Sequence, residues 1–215
     1  MILEKNSKLI MIGDSITDTG RVRPVGEGRN ALGNGYVNLV NAFLYAFYPE
    51  LNIRVINMGI SGNTSRDLRE RWQNDVLDLQ PDYVSVMIGV NDVWRQFDLP
   101  QIPEYHVYVN EYRDNLEYII KQTKDKVKQM IIIAPFFIEI NHEDRMRALL
   151  LEYQQICKEL AGKYDLIFVD CQQEFDHVLN YHHSCFLAWD RVHPDTTGHL
   201  LIAKAFLNAI GFSWK

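Results

Sequence analysis

The chain has 215 residues, of which 47% are apolar and 23% charged; its 28 acidic and 22 basic side chains give a formal net charge of −6. This length predicts one domain, residues 1–215, and the acidic balance excludes a general nucleic-acid binder, which needs a basic face. No apolar run approaches the roughly 18 residues of a membrane span, and Met1–Lys5 lacks a signal-peptide pattern. Three cysteines form no disulfide framework, so we expect free thiols and a cytoplasmic protein. They are Cys157, Cys171 and Cys185.

Five short apolar runs rich in Val and Ile predict strands that are buried on both faces of a parallel sheet. In chain order they are Lys8–Ile12, Ile53–Met58, Tyr83–Ile88, Met130–Ala134 and Leu166–Val169.

Segments with apolar residues at helical spacing follow these runs. They predict helices over Tyr36–Phe47, Leu68–Leu77, Glu111–Thr123, Asp144–Tyr164 and Thr196–Ile210. Strands that alternate with helices indicate an α/β fold, a three-layer sandwich with a central five-stranded parallel sheet and right-handed crossovers.

Small polar residues follow the first three predicted strands. The segments are Gly13-Asp14-Ser15, Gly59-Ile60-Ser61-Gly62-Asn63 and Gly89-Val90-Asn91-Asp92. Because α/β sheets bind ligands at the carboxyl ends of their strands, we expect these segments to lie together around a functional site.

One of these positions and one pair near the C-terminus suit acyl-transfer chemistry. Ser15 follows a strand at the start of a helical turn, where a base could activate its hydroxyl; alternatively, Asp14 or Ser15 only caps a helix. Asp190 precedes His193 by three residues, so its carboxylate could fix the imidazole as a base; alternatively, Asp190 caps the last helix.

Such a site also needs hydrogen-bond donors for a developing oxyanion. The candidates are the backbone N–H groups of Ser15 and Gly62 and the side-chain amide of Asn91. The simpler interpretation is that Gly62 only makes a turn and that Asn91 only caps a helix.

Taken together and in order, four segments resemble the four sequence blocks of the GDSL esterases, also called SGNH hydrolases. The matching segments are Gly13-Asp14-Ser15-Ile16-Thr17-Asp18, Gly59-Ile60-Ser61-Gly62-Asn63-Thr64, Gly89-Val90-Asn91-Asp92 and Asp190-Arg191-Val192-His193-Pro194. Ile16 departs from the leucine in the family name, outside the reacting groups.

The resemblance implies a flavodoxin-like SGNH-hydrolase fold over residues 8 to about 210. It implies that Ser15 is the nucleophile, that His193 is its general base and later acid, and that Asp190 orients His193. It also implies that Ser15, Gly62 and Asn91 form the oxyanion hole, and that the reaction needs no metal or organic cofactor.

Longer segments resemble bacterial intracellular acetylxylan esterases. They include Leu32-Gly33-Asn34-Gly35-Tyr36-Val37, Ile88 to Gln96 and Ala188 to Pro194. This resemblance implies an oligomeric enzyme that removes acetyl groups from xylo-oligosaccharides inside the cell, with no nucleic-acid or membrane partner.

Aromatic residues give this prediction candidate contacts. Trp94 and Trp189 flank the proposed Asn91 and Asp190 and could stack on sugar rings, or else lie in the core or at a subunit interface. Phe136-Phe137-Ile138 and Trp214-Lys215 are candidate contacts of a homo-oligomer.

Four other interpretations compete with this one. A lysophospholipase or thioesterase would use the same residues on longer acyl chains. A flavodoxin-like module could bind phosphate through Gly26 to Asn30, although this loop lacks the ending of a P-loop. A metal site could use four side chains, although their spacing is not typical of one. They are His177, His182, His183 and Cys185. A non-catalytic protein on the same fold is disfavoured by the intact blocks.

Overall fold

The computed structural model describes residues 1–214, and a six-stranded sheet forms its centre. The strands are β1 (Lys8–Gly13), β2 (Gly26–Glu27), β3 (Arg54–Asn57), β4 (Tyr83–Met87), β5 (Gln129–Ile133) and β6 (Ile167–Val169). Their order across the sheet is β2-β3-β1-β4-β5-β6.

The predicted α/β fold class and its five parallel strands are confirmed. The strand count is six rather than five, because Gly26 and Glu27 pair antiparallel with Asn57 and Ile56 at the edge of the sheet. This two-residue strand has no apolar run, so periodicity does not reveal it.

Eight α-helices flank the sheet in the part of the chain that the structure describes. They are α1 (Ser15–Asp18), α2 (Tyr36–Phe47), α3 (Ser65–Trp72), α4 (Val90–Asp98), α5 (Val109–Thr123), α6 (Arg145–Lys163), α7 (Gln172–Leu179) and α8 (Thr196–Ala209). α2 and α7 pack on α8, whereas α3 and α6 pack on α5 and α4 packs on α6. None of these helices combines the length and the apolar character that crossing a bilayer requires.

The sequence analysis located four of these helices to within two residues, overlapped a fifth and missed three. The predicted helix Leu68–Leu77 is in fact the end of α3 followed by a π-helical turn over Gln73–Leu77. α1, α4 and α7 have four, nine and eight residues, too few for a clear helical period.

Burial overturns one expectation about an oligomer contact. Phe136, Phe137 and Ile138, which follow β5, are 1%, 2% and 0% exposed and belong to the core. Phe136 stacks on Phe175 of α7. These residues are therefore unavailable to a second subunit. In the other candidate contact, Trp214-Lys215, Lys215 lies outside the described residues.

Close backbone approach fixes the segments that follow β1 and β3. A Cβ atom on Gly59 would lie 2.7 Å from the Asp18 Cα and from the Thr17 carbonyl carbon, which are backbone atoms that cannot swing away. Gly59 therefore sets how near the two strand ends lie.

We predict that Gly59→Ala lowers the free energy of unfolding by about 3 kcal/mol, at the upper end of the usual cost of overpacking. Gly162→Ala is the matched control, because its added Cβ meets no atom within 4 Å and alanine favours the helix. Denaturant unfolding of both variants measures the difference. Equal stabilities would contradict a backbone clash at Gly59.

Candidate active site

Three side chains from opposite ends of the chain form a hydrogen-bonded row. Ser15 is the first residue of α1, and its Oγ lies 2.8 Å from Nε2 of His193. Nδ1 of the same imidazole lies 2.6 Å from Oδ2 of Asp190. The structure thus brings together the nucleophile, base and orienting acid that the sequence suggested, across 178 positions between Ser15 and His193.

The loop before α8 holds this acid–histidine pair through backbone hydrogen bonds. The other carboxylate oxygen of Asp190 accepts hydrogen bonds from the backbone N–H groups of Val192 and His193, at 2.9 and 2.8 Å. Burial acts to raise the pKa of Asp190, but the hydrogen bonds from the His193 ring and from these amides outweigh it and lower the pKa below its usual value. Asp190 is therefore ionised at neutral pH and orients the imidazole.

In the short helix α1, the residue that caps the helix is not the residue that faces His193. Asp14, not Ser15, is its N-cap, because the Asp14 Oδ1 accepts a hydrogen bond from the backbone N–H of Ile16 at 3.0 Å. The side chain of Ser15 is left free to face His193. Likewise Asp195, not Asp190, caps α8 by accepting from the backbone N–H of Gly198.

The three candidate oxyanion donors lie on loops that hydrogen-bond to one another. Ile60 N–H donates to Gly13 O at 3.0 Å, and Asn91 Nδ2 donates to Asn63 O at 2.9 Å. Within residues 1–214, no protein acceptor takes the backbone N–H of Ser15 or of Gly62. One N–H of the Asn91 amide is also left over, so three donors can point at an oxygen atom of a ligand.

Gly62 does more than turn the chain. Its φ of +85° lies in the left-handed region that favours glycine, and a Cβ there would meet no atom within 4 Å. The constraint at Gly62 is therefore the backbone conformation that exposes its N–H, rather than packing.

Asp18 is a site residue that sequence reasoning did not single out. Its Oδ2 accepts hydrogen bonds from Ser61 N–H at 3.1 Å and from Ser61 Oγ at 2.9 Å, and it forms a 2.6 Å ion pair with Arg23. Burial acts to raise the pKa of Asp18, but Arg23 and Ser61 lower it below its usual value. Asp18 is thus an ionised anchor for the loop that carries Gly62. Its place in the first sequence block was the available signal.

Two fully buried carboxyl groups lie under the strand ends. Burial, opposed by hydrogen bonds, raises the pKa of Asp14 from 3.8 to about 7. Burial likewise raises the pKa of Asp92 to about 7, although Ser65 donates to this carboxyl from both its N–H and its Oγ. Each carboxyl therefore resists ionisation far more than an exposed aspartate does.

Aromatic side chains line clefts on both sides of the imidazole. Trp94 meets His193 edge-on with ring centroids 5.7 Å apart, and it lines a cleft of about 350 Å³ with Phe97, Phe137 and Asp190. Trp189 is 87% exposed and lines a second cleft of about 390 Å³ that includes His193. Trp94 is half-buried and packs against the hydrophobic core while it lines its cleft, whereas Trp189 lies on the surface.

The other two candidate sites do not assemble. Gly28, Arg29 and Asn30 line a cavity of about 430 Å³, but they follow the edge strand β2 and do not open a helix, and Arg54 beside them pairs with Glu27. His177 packs on Tyr181, and neither it nor the other candidate ligands belong to a cluster of three or more metal-binding side chains within the described residues.

Comparison with known proteins agrees with this arrangement. Residues 11–201 match the model of the GDSL-like Lipase/Acylhydrolase family. An acetylxylan esterase of Geobacillus stearothermophilus is 52% identical over 100% of this chain and 98% of that protein. A crystal structure of that organism's acetylxylan esterase Axe2 superimposes with a TM-score of 0.99 at 52% identity, covering 100% of this chain and 98% of that chain.

A second similar solved structure is that of a protein from a metagenome. LAE5, described as an alpha/beta hydrolase enzyme from the metagenome of Lake Arreo, Spain, is 49% identical, with a TM-score of 0.98 and complete coverage of both chains. The chain therefore belongs to the GDSL-like lipase/acylhydrolase family and is a carboxylic ester hydrolase, which confirms the family prediction.

We predict that Asp14→Asn gains stability relative to the wild type as pH rises. A buried carboxyl with a raised pKa stabilises the native state fully below pH 3.8, and this contribution is lost as pH rises to about 7. Asparagine keeps the capping oxygen and does not titrate. Between about pH 5 and about pH 8 the variant should gain at least about 2–4 °C in Tm over the wild type, equivalent to about 1 kcal/mol.

The control for this experiment is Asp125→Asn, the same substitution at an exposed carboxylate. Thermal unfolding at both pH values should show no such change for the control. If the two variants behaved alike, burial of Asp14 would not be the source of the pH dependence.

Proposed function

We propose that this ester hydrolase is a serine esterase that removes acetyl groups from acetylated xylo-oligosaccharides. The observation that carries the proposal is the hydrogen-bonded row Ser15–His193–Asp190 with three free N–H donors beside it. The substrate class rests on the whole-length similarity to an acetylxylan esterase.

In the first half of the proposed reaction, Ser15 Oγ attacks the acetyl carbonyl carbon while His193 Nε2 takes the hydroxyl proton. The carbonyl oxygen becomes an oxyanion, which accepts hydrogen bonds from the N–H groups of Ser15 and Gly62 and from the Asn91 amide. The carbon–oxygen bond to the sugar then breaks, and His193 gives its proton to the departing sugar hydroxyl. An acetyl-enzyme on Ser15 remains.

Water completes the cycle in the second half. His193 takes a proton from water, the resulting hydroxide attacks the acetyl carbon, and the same donors stabilise the second oxyanion. Ser15 leaves with the proton that His193 returns, and acetate departs. Asp190, ionised throughout, holds the imidazole in the tautomer that presents Nε2 to Ser15 and stabilises the imidazolium.

The clefts beside His193 support a sugar as the alcohol half of the ester. Trp94 and Trp189 offer flat aromatic surfaces on which sugar rings stack, and Asp190 and Arg191 add polar groups to the cleft that Trp94 lines. Both clefts are open rather than tunnel-shaped. The competing function, a lysophospholipase or thioesterase that acts on longer acyl chains, is not favoured.

The proposal also includes a cytoplasmic location and a homo-oligomeric state. Three free thiols, two of them buried, support a reducing cytoplasm. A homo-oligomer, as the resemblance implies, is supported by exposed aromatic surface at Trp214, which packs on Phe43 and Phe212.

We predict that the wild type releases acetate from acetylated xylo-oligosaccharides, and that Ser15→Ala and His193→Ala lower kcat by about 10⁶-fold, as in other triads. Asp190→Asn should lower kcat less, by about 10⁴-fold, because Ser15 and His193 both remain and only the support of the imidazole is lost. Acetate release and circular dichroism are measured side by side, so that lost activity is separated from lost fold.

Longer esters provide the control for substrate class. Palmitoyl esters and thioesters should be poor substrates. Faster release of a long acyl chain than of acetate would overturn the deacetylase, and turnover by Ser15→Ala would overturn the serine mechanism.

We predict that Trp94→Ala reduces kcat/KM more for an acetylated xylo-oligosaccharide than for 4-nitrophenyl acetate, by at least about 10-fold in the ratio, since about 1.4 kcal/mol of lost binding is tenfold. Trp94→Phe should retain most of the preference, because it keeps an aromatic face. An unchanged ratio in Trp94→Ala would assign this tryptophan to holding His193 alone.

A further inference from the structure

We infer that Arg95 is a positioning residue, which holds the side-chain amide of Asn91 in the orientation that stabilises the oxyanion. The inference depends on one part of the proposed function, the role of Asn91 as an oxyanion donor. It does not depend on the sugar.

Both polar atoms of the Asn91 side-chain amide have a hydrogen-bond partner. Nδ2 donates to the backbone oxygen of Asn63 at 2.9 Å, and Oδ1 accepts from Nη2 of Arg95 at 3.2 Å. A flipped amide would set its oxygen against the Asn63 carbonyl and its NH₂ group against the guanidinium, so both contacts would become repulsive. The two neighbours therefore select one orientation, which leaves one Nδ2 hydrogen for a ligand.

Helical spacing brings Arg95 to this position. Asn91 and Arg95 are four residues apart on α4, so their side chains lie on the same face one turn from each other. Asn91 is 1% exposed, and the side chain of Arg95 is 24% exposed. The contact thus forms within one helix.

Arg95 is itself fixed on two further sides. Its Nη1 forms an ion pair with Asp98, and its guanidinium lies 4.8 Å from the ring centre of Trp94. A planar fork with several donors can satisfy Asp98 and Asn91 together while it stacks on the indole, whereas the single ammonium of lysine cannot. The residue type therefore matters as well as the charge.

The contact also acts on the reaction electrostatically. A cation that donates to Oδ1 draws electron density from the amide and makes the remaining Nδ2 hydrogen a stronger donor, since hydrogen bonds in a chain polarise one another. This benefit is greatest when an oxyanion forms, so it appears in kcat more than in KM. Arg95 reaches the oxyanion only through Asn91.

The test is a double-mutant cycle on 4-nitrophenyl acetate, a substrate without a sugar. Asn91→Ala should lower kcat by about 100- to 1000-fold, as the loss of an oxyanion donor does. Arg95→Met keeps the apolar stem of the side chain. It should lower kcat by about tenfold, which is part of the loss expected for Asn91→Ala, with little change in KM. In the Asn91→Ala background the same Arg95→Met change should cost less than about twofold, because no amide remains to be oriented.

Two further variants keep the test decisive. Arg113→Met removes a comparable arginine from an exposed ion pair with Glu159 on the surface of α5, and it should leave kcat unchanged. Arg95→Lys retains a cation and should fall between the wild type and Arg95→Met, which gives a second measurement if Arg95→Met folds poorly.

The outcomes separate the inference from the proposed function. Additive effects of Asn91→Ala and Arg95→Met, an effect on KM alone, or wild-type kcat in both Arg95 variants would each overturn the role of Arg95 and leave the esterase proposal standing. Wild-type kcat in Asn91→Ala would overturn the oxyanion role of Asn91, and with it the inference about Arg95.

Discussion

The site depends on how closely the ends of β1 and β3 approach each other, and one buried amide makes this approach possible. Asn57, the last residue of β3, donates through Nδ2 to the carbonyl oxygens of Thr17 and Leu32, at 2.7 and 2.8 Å, and accepts from Gly59 N–H at 2.9 Å. Backbone groups that leave a buried strand would otherwise lack partners, which is costly in the interior. The loops that carry Ser15 and Gly62 can therefore bend sharply without losing hydrogen bonds.

A second group, Arg71, ties the same strand ends from the solvent side. Its guanidinium donates to Gly13 O and Met58 O, at 3.1 and 2.9 Å, and pairs with Asp75. Burial lowers the pKa of Arg71, opposed by Asp75, and the positive charge in turn favours the ionised form of Asp14. Asn57 and Arg71 thus both support the backbone of the strand ends.

The sheet and the long helices could be predicted from the sequence because an apolar run or a helical period is a local signal, wherever its neighbours lie. The triad was predicted from the resemblance of four ordered segments to the GDSL esterases, since Ser15 or Asp190 alone would equally suit a helix cap. Asp18, Asn57 and Arg95 were missed because their roles exist only through partners on other segments or one helical turn away. The edge strand β2 was missed for the same reason, since its pairing comes from β3 rather than from its own residues.

The imidazole of His193 is 39% exposed while its partner Asp190 is 7% exposed. The imidazole is thus open to the surroundings, whereas the carboxylate that fixes it is shielded from them. Such a site needs no moving lid to admit the second reactant once the first alcohol has left. The same openness makes no distinction between water and another sugar hydroxyl, so a concentrated carbohydrate solution would turn part of the hydrolysis into exchange of acetyl groups between sugars.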